Sequence, residues 1–284
     1  MAKEHGRAAV SEIVREFYGH LPFNYDSSPQ QTVKRVEINP IQAYADLDSL
    51  LRQERIGTVL EFGCGTGWAS NAIALHYRKR VTAVDMTERA LERAKDVARK
   101  TGVLDRTEFI QSDFFDFQPS QRFDLVLSIG VLHHTYDCRK AFGHIAQFVA
   151  RGGYIFVGLY HLYARCAFQR MFRDILEQGG EDAAFLHYKR LNPNLRDETR
   201  LRSWFRDQVL HPQETQHTLE EVFGWLDECG LALVTTSINH YDDVSDRKAL
   251  IGLEAEYEAL SEQRNIVEGK FFPGFFTVLA SRKQ

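Results

Sequence analysis

The chain has 284 residues, 44% of them hydrophobic and 26% charged, with a net charge of −4 at pH 7. That length can bury a large core, and the charge gives no general attraction to nucleic acid. No apolar run approaches the ~18 residues of a membrane-spanning helix, and Cys64, Cys138, Cys166 and Cys229 lie far apart with no CxxC pair, which argues against zinc and a disulfide framework.

The first 20 residues are charged throughout and carry no signal-peptide core, so a cytoplasmic protein is expected. Residues 1–50, with "EFYGHLPFNYD" and its Tyr25, are expected to form a cap. Thr58–Phe62 then reads as an apolar strand ending beside an acid, in "TVLEFGCGTGWAS". Its glycines, Gly63, Gly65 and Gly67, are spaced wrongly for a dinucleotide loop, whose third glycine would fall where Trp68 stands. Glu61 at the strand tip would repel a pyrophosphate but suits a ligand with a positive amine. S-adenosylmethionine, with an ammonium, a sulfonium and no phosphate, fits both features.

The strand Arg80–Asp85 follows, with Asp85 placed to take both ribose hydroxyls and Met86 next to it. "ERALERAKDVARKTG" reads as a helix: Ala90, Leu91, Ala94, Val97 and Ala98 share one face and Gly102 stops it. A strand over 107–112 leads to Asp113 and Phe114, which can meet an adenine amino group and ring. Singly, each aspartate is more simply a turn or cap residue; three acidic tips on successive strands are harder to obtain by chance. Phe123–Ile129 is the next strand and a run over 153–160 the fifth. Strands alternating with helices imply a parallel sheet covered on both faces.

Beyond Tyr160 the alternation is interrupted. Residues 161–217 form an insertion, partly helical in "CAFQRMFRDILEQGG", before a capping box from Thr218 to Glu221 opens the next helix. Strands are expected over 231–238 and 275–280, separated by a second insertion, 241–270.

Taken together, "LEFGCGTG", "AVDM", "QSDFF", "FDLVLSIGVLHH" and "GGYIFVGLYH" resemble the class I S-adenosylmethionine-dependent methyltransferases, strongly over about residues 55–160 and weakly elsewhere. The resemblance implies a Rossmann-like α/β fold: a seven-stranded mixed sheet, its last strand antiparallel, with helices on both faces. It implies S-adenosyl-L-methionine as cofactor. Gly63, Gly65 and Gly67 would surround its methionine part, Glu61 its amine, Asp85 and Met86 its ribose, and Asp113 and Phe114 its adenine. Ile129 and Gly130 would lie near its methyl.

Ligands of such sheets sit at the carboxyl ends of the strands. A single domain, 1–284, is therefore expected, with its cofactor core at 55–160 and the 218–284 part completing the sheet. The 1–50 segment and the 161–217 insertion would cover the active site as helical lids. Methyl transfer needs alignment and a nucleophile without its proton. His133 and His134 are candidate bases, with loop packing the alternative for either. Tyr25, Tyr160, His161, Arg202 and Arg206 are candidate acceptor contacts. The arginines of 189–206 read as a solvated face or as an anion clamp for an acidic acceptor. His211, Glu214 and His217 are spaced like metal ligands, but lid or acceptor contacts are the preferred reading and no metal is expected. The absence of NPPY after the fourth strand disfavours base methylation. The expected function is methylation of a small or medium-sized biosynthetic metabolite at oxygen or nitrogen, with no membrane partner. An RNA-modifying methyltransferase and a non-catalytic S-adenosylmethionine-binding subunit are the alternatives, and the oligomeric state is left open.

Overall fold

A computed structural model describes residues 2–283. Helices α1 (Ala2–His20), α2 (Pro29–Glu37) and α3 (Ala45–Leu51) precede strand β1 (Thr58–Phe62). Then come α4 (Trp68–Tyr77), β2 (Arg80–Asp85), α5 (Glu88–Thr101), β3 (Thr107–Gln111), β4 (Phe123–Ile129), α6 (Cys138–Ala146) and β5 (Val149–Tyr160). The chain continues through α7 (Leu162–Leu191), α8 (Glu198–Val209), α9 (Leu219–Glu228), β6 (Leu231–Thr236), α10 (Arg247–Glu254), α11 (Glu256–Glu262) and β7 (Phe275–Arg282). No helix among the described residues is long and apolar enough to cross a membrane.

The strands form one seven-stranded sheet in the order β3-β2-β1-β4-β5-β7-β6. Only β7 runs antiparallel to its neighbours, β5 and β6. This is the mixed sheet expected from the sequence. Its central strands β1 and β4 are mostly apolar and buried because both faces are covered, with Glu61 and Ser128 as buried polar exceptions. Side-chain alternation sends Leu60, Phe62, Val126 and Val157 into one core with α6 and α9. Val59, Leu125, Leu127 and Phe156 enter the other, against α4 and α5.

Local signals act as expected at two helix ends. Gly102, in the left-handed region at φ 72°, terminates α5, and Val103 N–H returns to Ala98 O (2.9 Å). Thr218 caps α9 with both capping-box bonds formed: Glu221 N–H donates to its hydroxyl and Thr218 N–H to the Glu221 carboxylate, each at 3.1 Å. Four strand boundaries differ from expectation, the first being β3, which ends at Gln111 and not 112. β5 begins at Val149, not 153, because Val149 pairs with Phe123 across a bulge. β6 stops at Thr236, where Ser237–Asn239 turns into a 3-10 helix. β7 runs on to Arg282, which pairs with Leu231.

The 161–217 insertion is more helical than its sequence suggests. α7 breaks into two arms at Gly180, whose φ of 73° and ψ of −172° only glycine adopts readily. The arms and α8 enclose their own apolar cluster, including Phe168, Phe172, Phe185, Tyr188 and Phe205. α11 of the second insertion lies against α7, where the Ser261 hydroxyl donates to Ala164 O (2.6 Å).

The glycine loop between β1 and α4 has a packing requirement of its own. At Gly67, φ 73°, a Cβ would lie 2.7 Å from Ala94 Cβ and 3.1 Å from its Cα. Gly67→Ala therefore combines a left-handed backbone cost of ~1–2 kcal/mol with overpacking of ~1–3 kcal/mol. Urea denaturation is expected to register a loss of about 2–4 kcal/mol; a loss below about 0.5 kcal/mol would show that α4 and α5 separate freely.

Candidate active site

The carboxyl ends of β1, β2 and β4 open into one cavity. It holds about 1020 Å³ of space between atoms, open solvent at its mouth included. Its floor is the glycine loop. Gly63, Gly65 and Gly67 all have positive φ, and Gly63 and Cys64 donate their N–H groups to Val84 O (2.8 and 3.1 Å). At Gly63 a Cβ would meet Val131 at 2.4 Å, so the turn and the end of β4 approach as closely as they do only because that residue lacks a side chain.

Asp85 ends β2 on this floor. Its two oxygens accept from Gly65 N–H and Thr87 N–H, both at 2.8 Å. Burial raises its pKa, against these N–H groups, which favour the carboxylate. Met86, Ser112, Phe114 and Phe115 line the cavity beyond it, and Ile129 and Gly130 line it from β4.

Other expected cofactor residues do not face the cavity. Glu61 is buried beneath the loop, where alternation along β1 turns it towards α4 and the Ser70 hydroxyl donates to it. Burial pushes its pKa up to about 7. Gly67 shapes the turn from outside the cavity wall. Asp113 is held by Arg7 Nη2 (3.0 Å) and by Phe115 N–H (3.0 Å).

Arg7 belongs to α1, which flanks the cavity. Val10, Ser11, Val14 and Tyr18 line the cavity from this helix, at the spacing of one helical face. The helix is tethered at both ends. Arg7 pairs with Asp113 and Asp116, Arg206 Nη2 donates to Phe17 O (3.2 Å), and Arg89 Nη1 donates to His20 O (2.6 Å). Tyr18 donates to Asp207 of α8 at 2.5 Å.

The far end of the cavity, past Ile129, holds a buried polar cluster. His134 sits in the 3-10 turn Leu132–His134, with Nδ1 2.8 Å from Gln213 O. Nδ1 therefore carries the proton and Nε2 keeps its lone pair. That Nε2 is buried without a hydrogen-bond partner, and Asp207 Oδ1 lies 3.9 Å away. Burial pushes the His134 pKa down to about 4. It pushes that of His211, stacked on His134 at 3.8 Å, down to about 2. Burial drives Asp207 the other way, up to about 7, opposed by its bond from Tyr18.

Of the two adjacent histidines only His134 lines the cavity. His133 is buried behind it, its Nδ1 accepting weakly from Tyr160 N–H (3.4 Å). The five expected acceptor contacts also lie off the cavity. Tyr25 is covered by Arg89 and Arg93. Tyr160 is buried under the Arg165 guanidinium (3.7 Å from ring centre), its hydroxyl 3.4 Å from Asp207. His161 is fully buried, with Nε2 2.8 Å from Glu254. Arg202 is exposed and pairs with Glu198 one turn away. Arg206 lies over the Phe17 ring. No lysine or arginine lines the cavity among the described residues, so no cationic side chain there meets an acidic acceptor.

In the segment carrying His211, Glu214 and His217 the side chains have other partners. His217 bonds Thr215 and Glu221, and Glu214 takes both arms of Arg165; no metal-binding cluster occurs among the described residues. Tyr18, Arg165 and Asp207 were not singled out by sequence reasoning. Each lies on a helix far along the chain from the glycine loop, and only the tertiary fold joins them to it.

Comparison with known proteins agrees with this geometry. Residues 54–189 match a family model described as a methyltransferase domain. An uncharacterized protein of Synechococcus sp. is 28% identical over 62% of this chain and 47% of its own length. The 27-O-demethylrifamycin SV methyltransferase of Amycolatopsis mediterranei is 26% identical over 54% of this chain and 56% of its own. The chain thus spans about half the length of these curated relatives. Among solved structures, magnesium protoporphyrin IX methyltransferase from Synechocystis PCC 6803, with bound S-adenosylhomocysteine, superposes with a TM-score of 0.52. That match covers 99% of this chain and 98% of the other at 14% identity, which speaks to the fold alone. With this match to a methyltransferase domain over residues 54–189, its seven-stranded mixed sheet and a glycine loop followed by Asp85, the chain is similar to the class I S-adenosylmethionine-dependent methyltransferases.

Proposed function

We propose that this chain methylates a small-molecule acceptor, at oxygen or nitrogen, enclosed beneath α1 and the 161–217 insertion. The observation that carries this reading is one cavity lined both by the glycine loop and Asp85 and by His134 and Asp207. The residues present fit the cofactor of the class. The glycine turn leaves room for close approach to its backbone, Asp85 offers a carboxylate for the ribose hydroxyls, and Phe114 offers a ring edge for adenine. When bound, S-adenosylmethionine supplies an electrophilic methyl on sulfur.

The chain's own residues do the rest. Ile129 and Gly130 hold the reacting end in line. His134 Nε2, the one bare lone pair on the wall, accepts the proton of the acceptor. Asp113 contributes by anchoring Arg7, which keeps α1 over the site. Glu61 supports the loop from below through Ser70.

An enclosed cavity without lysine or arginine favours a small acceptor over RNA, whose phosphates call for cations. The rifamycin-modifying relative also acts on a small molecule by its name. Radiolabelled methyl transfer, run against a metabolite pool and against total RNA, tests this. Label in the metabolites supports the reading, label in RNA replaces it, and cofactor binding without any transfer favours a non-catalytic subunit.

Asp85→Ala is expected to weaken S-adenosylhomocysteine binding by about 1–3 kcal/mol, since ribose hydroxyls would lose a charged partner. Calorimetry giving equal affinities for wild type and variant would remove Asp85 from the ribose.

A further inference from the structure

The acceptor end of the cavity is built to receive hydrogens and positive charge. His134 presents a lone pair with no partner, and Asp207 presents a carboxylate. Both are acceptors, so an acceptor molecule must bring donors to them. The charges around Asp207 give the sign of the group it meets. Arg165 is neutralised by Glu214 at 2.7 and 2.9 Å, and its guanidinium faces Tyr160, not the cavity. His133, His134 and His211 are held neutral by burial. Tyr18, Tyr160 and Tyr188 stay protonated, their pKa values well above 10. Summed over these groups and the cavity lining, Asp207 and Asp85 are the uncompensated charges; Asp85 is assigned to the ribose, which leaves Asp207, 5% exposed, for the acceptor. A buried carboxylate served only by two tyrosine hydroxyls bears a desolvation cost that a cation would relieve. Phe23 and Tyr136 line the cavity as well and are aromatic, a lining that also favours cations.

Resting on the methyltransferase reading above, we propose that the acceptor is an amine that enters as its ammonium ion and is recognised by Asp207. One ammonium hydrogen goes to Asp207 and a second points to His134 Nε2. Transfer of that second proton breaks an N–H bond, forms Nε2–H and leaves the electron pair on nitrogen. The imidazolium, disfavoured by burial, hands its Nε2 proton to Asp207, the more basic group, 3.9 Å away. The nitrogen pair then forms the N–CH₃ bond as the methyl–sulfur bond breaks with its electrons remaining on sulfur. Asp207 is thus a specificity residue, and an acidic acceptor is excluded by the same charge.

The test uses calorimetry on the full chain saturated with S-adenosylhomocysteine, which lacks the sulfonium charge that could itself pair with Asp207. Three probes of one shape are compared: benzylammonium, benzyl alcohol and benzoate. Benzylammonium is expected to bind at least about 10-fold more tightly than the alcohol, and benzoate not measurably. Asp207→Asn should cost benzylammonium about 10–100-fold, the weight of a hydrogen bond to a charged group. Wild type should lose benzylammonium affinity as pH falls from 8 to 5.5, because Asp207, near pKa 7, takes up a proton in that window. This titration decides the matter even if Asp207→Asn does not fold. Benzoate binding as well as benzylammonium, or affinity for the latter unchanged across this pH range, would overturn the proposal. Binding of S-adenosylhomocysteine by wild type is measured first. Its absence would sink the methyltransferase reading itself, whereas its presence without amine preference sinks only the role of Asp207.

Discussion

His134→Ala is expected to lower methyl-transfer turnover by about 10²–10⁴ while leaving S-adenosylhomocysteine affinity as it was. The imidazole meets the geometric condition first. It lines the cavity, its Nδ1 is fixed against Gln213 O at 2.8 Å, and this leaves Nε2 unprotonated towards the acceptor end. Stacking on His211 holds the ring plane. The pKa follows from burial: at about 4 it keeps His134 unprotonated throughout the neutral range, and Asp207, pushed up to about 7, takes the proton on from it. An acid limb near pH 7 in the rate profile would belong to Asp207 instead. His133→Ala separates the two adjacent histidines. His133 is buried behind His134 and does not line the cavity, so its loss should lower stability while the rate per folded molecule stays near that of wild type. Turnover by His134→Ala within about threefold of wild type would reduce His134 to loop packing. The complementary variant is Asp85→Ala, which should change cofactor affinity first.

The cofactor half of this site was legible because it is local. The turn between β1 and α4, Asp85 twenty positions beyond Gly65, and the strand ends at 112–114 and 129–130 all follow from strand periodicity and glycine spacing within about a hundred residues. The acceptor half was not. Asp207 stands in an arginine-rich helix whose pattern, read alone, suggests a solvated face. Its burial arises from the packing of α1 and β5 against α8, contacts 189 and 47 residues apart in sequence. The same packing disposes of the arginines that seemed suited to an anion. Arg202 is drawn off by Glu198 in its own helix, and Arg206 by the α1 backbone and Phe17. The arginine that does become buried, Arg165, lies in a stretch whose periodicity marked only its apolar neighbours. A charge sign at a site is a sum over elements, and periodicity within one element carries no information about it.

Arg165→Met is expected to destabilise the fold by about 3–5 kcal/mol, the cost of breaking a buried ion pair from one side. Arg165 is buried and joins three segments that share no sheet. Its Nε and Nη2 hold Glu214 at 2.9 and 2.7 Å, Nη2 also meets Gln208 O at 2.7 Å, and Nη1 meets Pro273 O at 3.1 Å. Methionine fills the space beside Tyr160 and Phe168, so packing loss is small. What remains is a carboxylate and two carbonyl oxygens that lose their charged donor. Glu214 would keep the amides of Gln169 and Gln216, both at 2.8 Å, which compensate in part. Replacing both members, Arg165→Met with Glu214→Gln, should therefore recover most of the loss, because an amide there leaves no buried charge unpaired. Urea denaturation of the two single variants and the double variant closes a cycle. A coupling energy below about 0.5 kcal/mol would mean that water already screens the pair and that Arg165 acts by packing alone. A larger one, with the single variant also losing the benzylammonium preference, would show that this anchor holds the 207–214 segment, and with it Asp207, against the end of the cavity.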